Sequence, residues 1–161
     1  DLKLTGMQGD VMKESMNVAK TLAWDLTPFA KQERLLKSFD ASKTQGIHIH
    51  CPEGAVPKDG PSAGTAITVT LFSLLNDIKI KNSVAITGEI DLHGNVTAIG
   101  GLDLKILGGI DAGVKEFLFP EDNIDDFNKF KEKYGDKEIV KDILFHPITN
   151  INQALELALE K

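Results

Sequence analysis

The segment CPEGAVPKDGPSAGTA, residues 51–66, constrains the fold of this chain most, because three prolines and three glycines stand directly before an apolar run. Pro61 has no N–H and a fixed φ, so it fixes the direction in which the chain enters the next segment. Gly60 and Gly64 carry no side chain on either side of Ser62, which leaves room for another backbone to approach. The sequence therefore predicts that Ser62 lies on a rigid turn where a helix begins.

Short strand-like and helix-like segments alternate along the rest of the chain. The apolar segment that follows the turn is too long for a strand, so we predict a buried helix that begins at Ser62. The predicted strands are DLKLTG, GIHIHC, SVAITGEI, NVTAIG, VKEFLFP and ILFHPI, and the other predicted helices are DVMKESMNVAKTLAW, TPFAKQERLLKSF, GLDLKILGGIDAG, EDNIDDFNKFKEKYG and INQALELALEK. No linker or repeat interrupts this order. The expected fold class is therefore α/β, of the α+β type, a single compact domain with strands of mixed direction and packed helices.

Charge and hydropathy argue against several kinds of partner. The formal net charge of the 161 residues is −6, and without a concentrated basic face we expect no nucleic acid partner. No apolar stretch approaches the length of a membrane span, so no membrane contact is expected. One cysteine, Cys51, excludes an internal disulfide and fits a reducing compartment. The chain begins in a strand-like segment without an initiator methionine, which we interpret as a piece cut from something larger.

Metal and phosphate-loop chemistry have little support in the sequence. His48 and His50 share one face of a predicted strand, but paired ligand spacings such as HExxH or CxxC do not occur, so we expect no metal. These two histidines serve the structure or line a cleft. A Walker loop needs a lysine followed directly by serine or threonine, and GAVPKDGPSAG lacks that pair. We therefore expect no cofactor and no ATP hydrolysis by this chain alone.

Two roles are open to the hydroxyl of Ser62. It can be the N-cap of the predicted helix, which is a common role for serine. It can instead be a nucleophile, because the positive end of the helix dipole stabilises a developing alkoxide or oxyanion there. Since Pro61 cannot donate, the oxyanion donors would be neighbouring amides, such as those of Asp59, Gly60, Ser62 or Ala63. The local sequence leaves both roles open.

A nucleophilic serine needs a base, and two lysines compete for that role. A lysine acts as a base only when its surroundings lower its pKa, and a change from about 10.4 to about 8 requires roughly 3 kcal/mol. Lys58 lies in a polar loop, where it is expected to stay solvated and charged. Lys105 is flanked by leucines and isoleucine in GGLDLKILGG, which makes it the better candidate. The alternative is that the Lys105 amine extends to solvent, as the amines of helical lysines commonly do.

Four segments resemble the signature of a known family, the proteolytic domain of Lon protease. In chain order they are LTGMQGDVMKES at 4–15, PEGAVPKDGPSAG at 52–64, TGEI at 87–90 and IGGLDLK at 99–105. The resemblance covers nearly the whole chain and implies the Lon proteolytic-domain fold. Residues 1–161 are accordingly expected to form one Lon-type proteolytic domain, truncated at its N-terminus and without the ATPase module.

The resemblance also implies a catalytic arrangement. It assigns a Ser–Lys dyad, with Ser62 as the nucleophile and Lys105 as the general base. Thr87 is implied to hydrogen-bond the lysine amine. The backbone at Asp59 and Ser62 is implied to help form the oxyanion hole. These assignments favour the nucleophilic role of Ser62 and the inward orientation of Lys105.

Intact members of this family are ATP-dependent proteases that form rings, usually hexameric, and carry an ATPase module upstream. The resemblance therefore implies unfolded or regulatory protein substrates, a homo-oligomeric ring in the intact protein, and ATP and Mg in the upstream module only. It implies a cytoplasmic location, or alternatively the mitochondrial matrix. The rival hypothesis is a catalytically silent domain of the same fold that serves assembly or partner binding. A third is an active domain that works without ATP.

Overall fold

The computed structural model describes residues 2–6, 10–42, 47–51 and 62–160, in which helices and strands alternate. The strands are β1 (Leu2–Gly6), β2 (Ile47–Cys51), β3 (Val84–Ile86), β4 (Glu89–Ile90), β5 (Val96–Thr97), β6 (Glu116–Pro120) and β7 (Leu144–Ile148). The helices are α1 (Asp10–Leu26), α2 (Phe29–Ser42), α3 (Gly64–Asn76), α4 (Leu102–Asp111), α5 (Ile124–Tyr134), α6 (Glu138–Lys141) and α7 (Ile151–Ala158). A 3-10 turn, Glu121–Asn123, precedes α5.

Both parallel and antiparallel strand pairs occur. β3, β6 and β7 form a parallel sheet in the order β3–β6–β7, with Leu118 of β6 opposite Ile86 on one side and His146 on the other. β1 pairs in parallel with β2, and β4 pairs with β5 as an antiparallel hairpin. The domain is thus of the α/β class with strands of mixed direction, as the sequence predicted.

The central strand β6 is covered on both faces. Successive side chains of a strand point to opposite faces, so Leu118 joins one hydrophobic cluster while Phe117 and Phe119 join another. The cluster around Leu118 includes residues of α1, α3, β4, β5, β7 and α7. The cluster around the two phenylalanines includes residues of α4, α5 and α6. Two-sided burial is typical of parallel strands, because the crossover helices cover both faces of the sheet.

Helix α3 begins in close contact with two other elements. A Cβ built on Gly64 would lie 2.7 Å from Oγ of Ser15 in α1 and 2.8 Å from Cγ2 of Ile90 in β4. Further along the same pair of helices, Ala19 and Ala23 pack against Leu71 and Leu75. Because the first residue of α3 has no side chain, the helix start is held between α1 and the β4–β5 hairpin.

The far end of the domain is closed by a short antiparallel pairing. The segment between α3 and β3 runs beside the residues that follow α7, with Ile80 opposite Leu159. The N–H of Lys81 donates to the carbonyl oxygen of Ala158 at 2.8 Å, and the N–H of Glu160 donates to that of Lys79 at 2.8 Å. This pairing connects the last helix to the exit of α3.

Some element boundaries differ from those predicted from the sequence. The predicted helix start at Ser62 is wrong, because α3 begins at Gly64 and residues 62 and 63 form a turn. The carbonyl oxygen of Ser62 accepts a hydrogen bond of 2.9 Å from the N–H of Gly88, so it is bound outside the helix. The segment predicted as one helix from Glu121 starts instead with the 3-10 turn. The four-residue helix α6 was missed, since it is too short to show a helical period.

The described residues were also compared with what a membrane span and a metal site require. No helix within the described ranges is both long and apolar enough to span a bilayer. Within the same ranges, no three histidine, cysteine, aspartate or glutamate side chains are grouped so that they could hold a metal ion. The side chains of His48 and His50 lie outside the part of the chain whose side chains the structure describes.

Candidate active site

Ser62 lies in the turn that leads into α3 and is half-buried. The N-cap of α3 is the next residue, Ala63, which is also half-buried, and no side chain caps the helix. The alternative role of Ser62 as the N-cap of this helix is therefore wrong. The predicted oxyanion residues Asp59 and Gly60, and the competing Lys58, lie outside the described residues. The Ser62 hydroxyl is thus left without a capping function at the positive end of a thirteen-residue helix.

The loop that follows β3 holds the turn of Ser62 in place. The N–H of Gly88 donates to the carbonyl oxygen of Ser62 at 2.9 Å, and the hydroxyl of Thr87 lies 3.5 Å from the same oxygen. The N–H of Thr87 donates to the carbonyl oxygen of Leu118 at 3.0 Å, which ties this loop to β6. Thr87 is buried. The predicted contact of Thr87 with the amine of Lys105 stays a prediction. The contact that the structure shows for the Thr87 hydroxyl is with the carbonyl oxygen of Ser62.

A second set of bonds makes the attachment reciprocal. The carbonyl oxygen of Gly88 accepts from the N–H of Thr65 at 3.1 Å and from the Thr65 hydroxyl at 3.0 Å. Gly88 has a φ of +153°, and a Cβ there would lie 2.5 Å from Cγ1 of Val96. Only glycine fits this backbone and this space. Because Gly88 bonds to residues on both sides of Ala63, the serine turn is fixed at two points.

Lys105 is the fourth residue of α4, a helix that forms as predicted despite Gly108 and Gly109. Its neighbours Leu102 and Ile106 are buried in the cluster with Phe117, while Lys105 itself is half-buried. Burial lowers the pKa of the Lys105 amine below that of an ordinary lysine. A lysine in such surroundings is neutral for a larger fraction of the time, which is what a general base requires.

The serine turn and the first turn of α4 lie at the same edge of the parallel sheet. Thr87 and Gly88 follow the carboxyl end of β3, and the Ser62 turn is bonded to them. Asn123 follows the carboxyl end of β6, and its side chain bonds to Ile99, just before α4 begins. In parallel sheets this edge is where ligand sites form. The topology therefore brings the segments of Ser62 and Lys105 to one edge of the domain.

Asn123 makes three hydrogen bonds with its carboxamide although it is only 2% exposed. Its Oδ1 accepts from the N–H of Ile99 at 2.9 Å, and its Nδ2 donates to the carbonyl oxygen of Ile99 at 2.8 Å. The same Nδ2 donates to Oδ2 of Asp126 at 2.9 Å. The side chain thus pairs with Ile99 as a neighbouring strand would.

Three residues of this site were not predicted from the sequence: Thr65, Gly88 and Asn123. Each acts through a hydrogen bond to a residue far away along the chain, and no local period reports such a bond. One signal was present: Gly88 lies inside the predicted strand SVAITGEI, and a glycine within a strand-like run often marks a bulge or a close approach of another backbone. For Thr65 and Asn123 the local sequence gives no comparable signal.

Comparison with known proteins identifies a family. The sequence profile of the Lon protease (S16) C-terminal proteolytic domain matches residues 1–161. Curated relatives, each named Lon protease, include those of Treponema pallidum, at 42% identity over 159 residues, and Parabacteroides distasonis, at 40% over 159. That of Rickettsia bellii is 41% identical over 165 residues. These alignments cover 99%, 98% and 100% of this chain, but only 17%, 18% and 20% of the three relatives. The chain thus spans about a fifth of the length of these relatives.

Proposed function

The chain belongs to the Lon protease family as a C-terminal proteolytic domain, and from this premise we propose that it is a serine endopeptidase domain with a Ser62–Lys105 dyad. The observation that supports the proposal is that the topology brings both segments to the same edge of the parallel sheet. There the serine turn is bonded to Gly88, and α4 presents a half-buried lysine whose pKa is lowered. Membership of the family supports peptide-bond hydrolysis, and the dyad is our specific assignment.

The reaction begins with the neutral amine of Lys105, which accepts the proton of the Ser62 hydroxyl. The resulting alkoxide attacks the carbonyl carbon of the scissile peptide and forms a tetrahedral oxyanion. Backbone amides of the loop and turn, at Asp59, Gly60 and Ala63, are the proposed donors to that oxyanion. The ammonium of Lys105 then gives its proton to the leaving amine, and the C–N bond breaks.

The acyl-enzyme is resolved by water. The amine of Lys105, neutral again, accepts a proton from the attacking water molecule as the water oxygen bonds to the acyl carbon. The ester bond between that carbon and the Ser62 oxygen then breaks, which releases the carboxylic acid. The Lys105 ammonium returns its proton to the Ser62 oxygen. Each step therefore uses one base that alternates between two protonation states. Thr87, through its hydroxyl, is proposed to orient that base.

The wider biology is also a proposal. We propose that the substrates are unfolded or regulatory proteins, that the intact protein forms a homo-oligomeric, hexameric ring, and that it works in the cytoplasm. ATP and Mg are proposed to act in an upstream ATPase module, and the peptidase chemistry derived above uses side chains and backbone amides of this chain. The rival hypothesis of a silent scaffold predicts no hydrolysis at all.

The test is cleavage of an unfolded protein substrate at high enzyme concentration by the parent chain and three variants. Ser62→Ala and Lys105→Ala are expected to abolish cleavage, while Lys58→Ala, the matched lysine control in the loop, is expected to retain it. Full activity in Ser62→Ala contradicts the proposal. If the parent is inactive, the same assay is made on a longer chain that carries its upstream segment, and inactivity there favours the scaffold.

A further inference from the structure

We propose that Asn123 is a positioning residue for Lys105, and that it acts by fixing the backbone of Ile99, which two glycines separate from the start of α4. The inference rests on the proposed function for the part that Lys105 plays in catalysis. The placement of Lys105 by Asn123 can, however, be measured without any activity. Its basis is the buried set of hydrogen bonds between the Asn123 carboxamide and the Ile99 backbone.

The orientation of the Asn123 carboxamide is fixed by its third bond. A carboxylate only accepts hydrogen bonds, so the atom facing Oδ2 of Asp126 at 2.9 Å is the NH2 group. The same NH2 group therefore donates to the Ile99 carbonyl oxygen, and the amide oxygen accepts from the Ile99 N–H. Since Asn123 and Ile99 are both buried, losing these bonds leaves polar groups unsatisfied away from water, which is costly.

Two glycines separate the anchored Ile99 from the helix. A Cβ built on Gly100 or on Gly101 would meet no atom within 4 Å, and Gly101 has a φ of +67°. The Cβ side of each glycine is therefore open, and glycine has the largest conformational freedom in a chain. The N–H of Lys105 donates to the carbonyl oxygen of Gly101 at 3.1 Å. The backbone of Ile99, which Asn123 holds, is thus connected to Lys105 by residues 100–104 alone.

Among the described residues, four charged side chains lie beside the start of α4 in a cleft that Lys105 does not line. They line a cleft between the start of α4 and α5, and they are Asp103, Asp126, Lys129 and Lys133. Lys105 is two residues after Asp103, which turns its side chain about 200° around the helix axis. Burial is what lowers the pKa of the Lys105 amine. If the first turn of α4 loses its anchor, the amine gains access to water and its pKa rises.

The experiment measures the pKa of the Lys105 amine by NMR on lysine-labelled protein, with the resonance assigned by its loss in Lys105→Ala. Asn123→Ala is compared with Asn76→Ala as a matched control. Nδ2 of Asn76 donates to the Phe72 carbonyl oxygen at 3.0 Å and to Oγ1 of Thr27 at 3.1 Å, at the far end of α3. We expect the pKa to rise toward that of an ordinary lysine in Asn123→Ala and to stay unchanged in Asn76→Ala.

Kinetics give the second readout. In Asn123→Ala we expect kcat to fall about tenfold or more, because small displacements of a catalytic group have large effects, with KM little changed. The acid limb of kcat/KM is expected to move to higher pH together with the NMR value. A loss of stability alone, as in Asn76→Ala, moves neither the limb nor the pKa.

The outcomes separate this inference from the proposed function. An unchanged Lys105 pKa in folded Asn123→Ala overturns the inference, whatever the activity. A raised pKa in a protein without Ser62-dependent cleavage supports the inference and contradicts the proposed function. If Asn123→Ala does not fold, Asn123→Ser is measured instead. Its single short hydroxyl cannot replace both bonds of the carboxamide to Ile99, and it adds no charge that would itself raise the pKa of Lys105.

Discussion

The N–H of Gly88 donates a hydrogen bond of 2.9 Å to the carbonyl oxygen of Ser62. The bond joins the turn of the proposed nucleophile to the loop after β3, and Thr65 completes the attachment by donating twice to the Gly88 carbonyl oxygen. The backbone that carries the Ser62 hydroxyl is therefore held in place at the edge of a sheet. In a helix cap the same hydroxyl would be bound to the backbone of its own helix.

Gly88→Ala is expected to reduce both stability and cleavage. The substitution places a Cβ 2.5 Å from Cγ1 of Val96 on a backbone with φ of +153°, and strain of this kind costs about 1–3 kcal/mol. Displacement of the loop also displaces Ser62, so we expect at least a tenfold loss of kcat/KM. Urea unfolding and a cleavage assay measure the two effects.

Gly108→Ala is the matched control for that substitution. A Cβ on Gly108 would meet no atom within 4 Å, and the residue lies inside α4. Because alanine favours a helix over glycine by about 1 kcal/mol, this variant is expected to be as stable as the parent or more stable. Equal behaviour of the two variants would contradict the assigned role of Gly88.

The rate of cleavage is expected to rise with pH through the titration of Lys105. Burial lowers the pKa of its amine below the value in the unfolded chain. Only the neutral amine accepts the Ser62 proton, so kcat/KM should increase about tenfold per pH unit below that pKa and level off above it. The measurement is a pH profile of kcat/KM, with Ser62→Ala as the blank. A rate that stays flat from about pH 9 down to about pH 6 contradicts a lysine base.

The same shift has a consequence for stability. The folded-state pKa of Lys105 lies below its unfolded value, so folding disfavours the charged amine. The destabilisation is complete below the folded pKa and disappears as pH rises through the unfolded value. Lys105→Met is therefore expected to unfold at a higher urea concentration than the parent at pH 7. The two proteins should converge at the alkaline end of the range, where the amine is neutral in both states.

The hydroxyl of Thr87 is expected to be necessary for full activity. Thr87→Val removes an oxygen that lies 3.5 Å from the Ser62 carbonyl oxygen and that is proposed to orient Lys105. We expect kcat to fall about tenfold, equivalent to about 1.4 kcal/mol, with little change in KM. Thr87→Ser keeps the hydroxyl and is expected to restore most of the rate. If both variants behave alike, the hydroxyl has no role in the reaction.

Asp91 is expected to stabilise the β4–β5 hairpin only when ionised. Burial alone raises the pKa of its carboxyl, but hydrogen bonds from the N–H and side chain of Asn95 and from the N–H of His93 outweigh this, so the pKa is lowered. The stabilisation is thus present above the unfolded pKa and is lost as pH falls through the folded one.

Asp91→Ala should accordingly lower stability at pH 7 and have a smaller effect near pH 3. Urea unfolding at both pH values makes the comparison. Asp91→Asn keeps an acceptor for the two N–H groups and does not titrate, so its stability should change less between the two pH values than that of the parent. An effect of Asp91→Ala that is equal at both pH values would show that the charge of the carboxylate is irrelevant.

Local patterns predicted the elements of this domain better than their connections. The apolar runs VKEFLFP and ILFHPI became β6 and β7. The sequence left an inward and a solvent-facing orientation open for Lys105, which is half-buried beside the exposed Leu104. The helix start at Ser62 was wrong, because its position depends on a bond to Gly88, which no neighbouring residue reveals. The roles of Thr65 and Asn123 escaped for the same reason. Buried side-chain bonds between distant segments are set by tertiary packing and have no local period.

The pairing between the residues after α7 and the exit of α3 has a consequence for slow opening of the domain. The amide protons of Lys81 and Glu160 are both engaged in this pairing, so they exchange with deuterium only when the two segments separate. Separation of the residues after α7 from their partner segment therefore uncovers the linker between α3 and β3 in the same event. The residues after α7 thus restrain the C-terminal end of α3, the helix whose N-terminal end follows the serine turn.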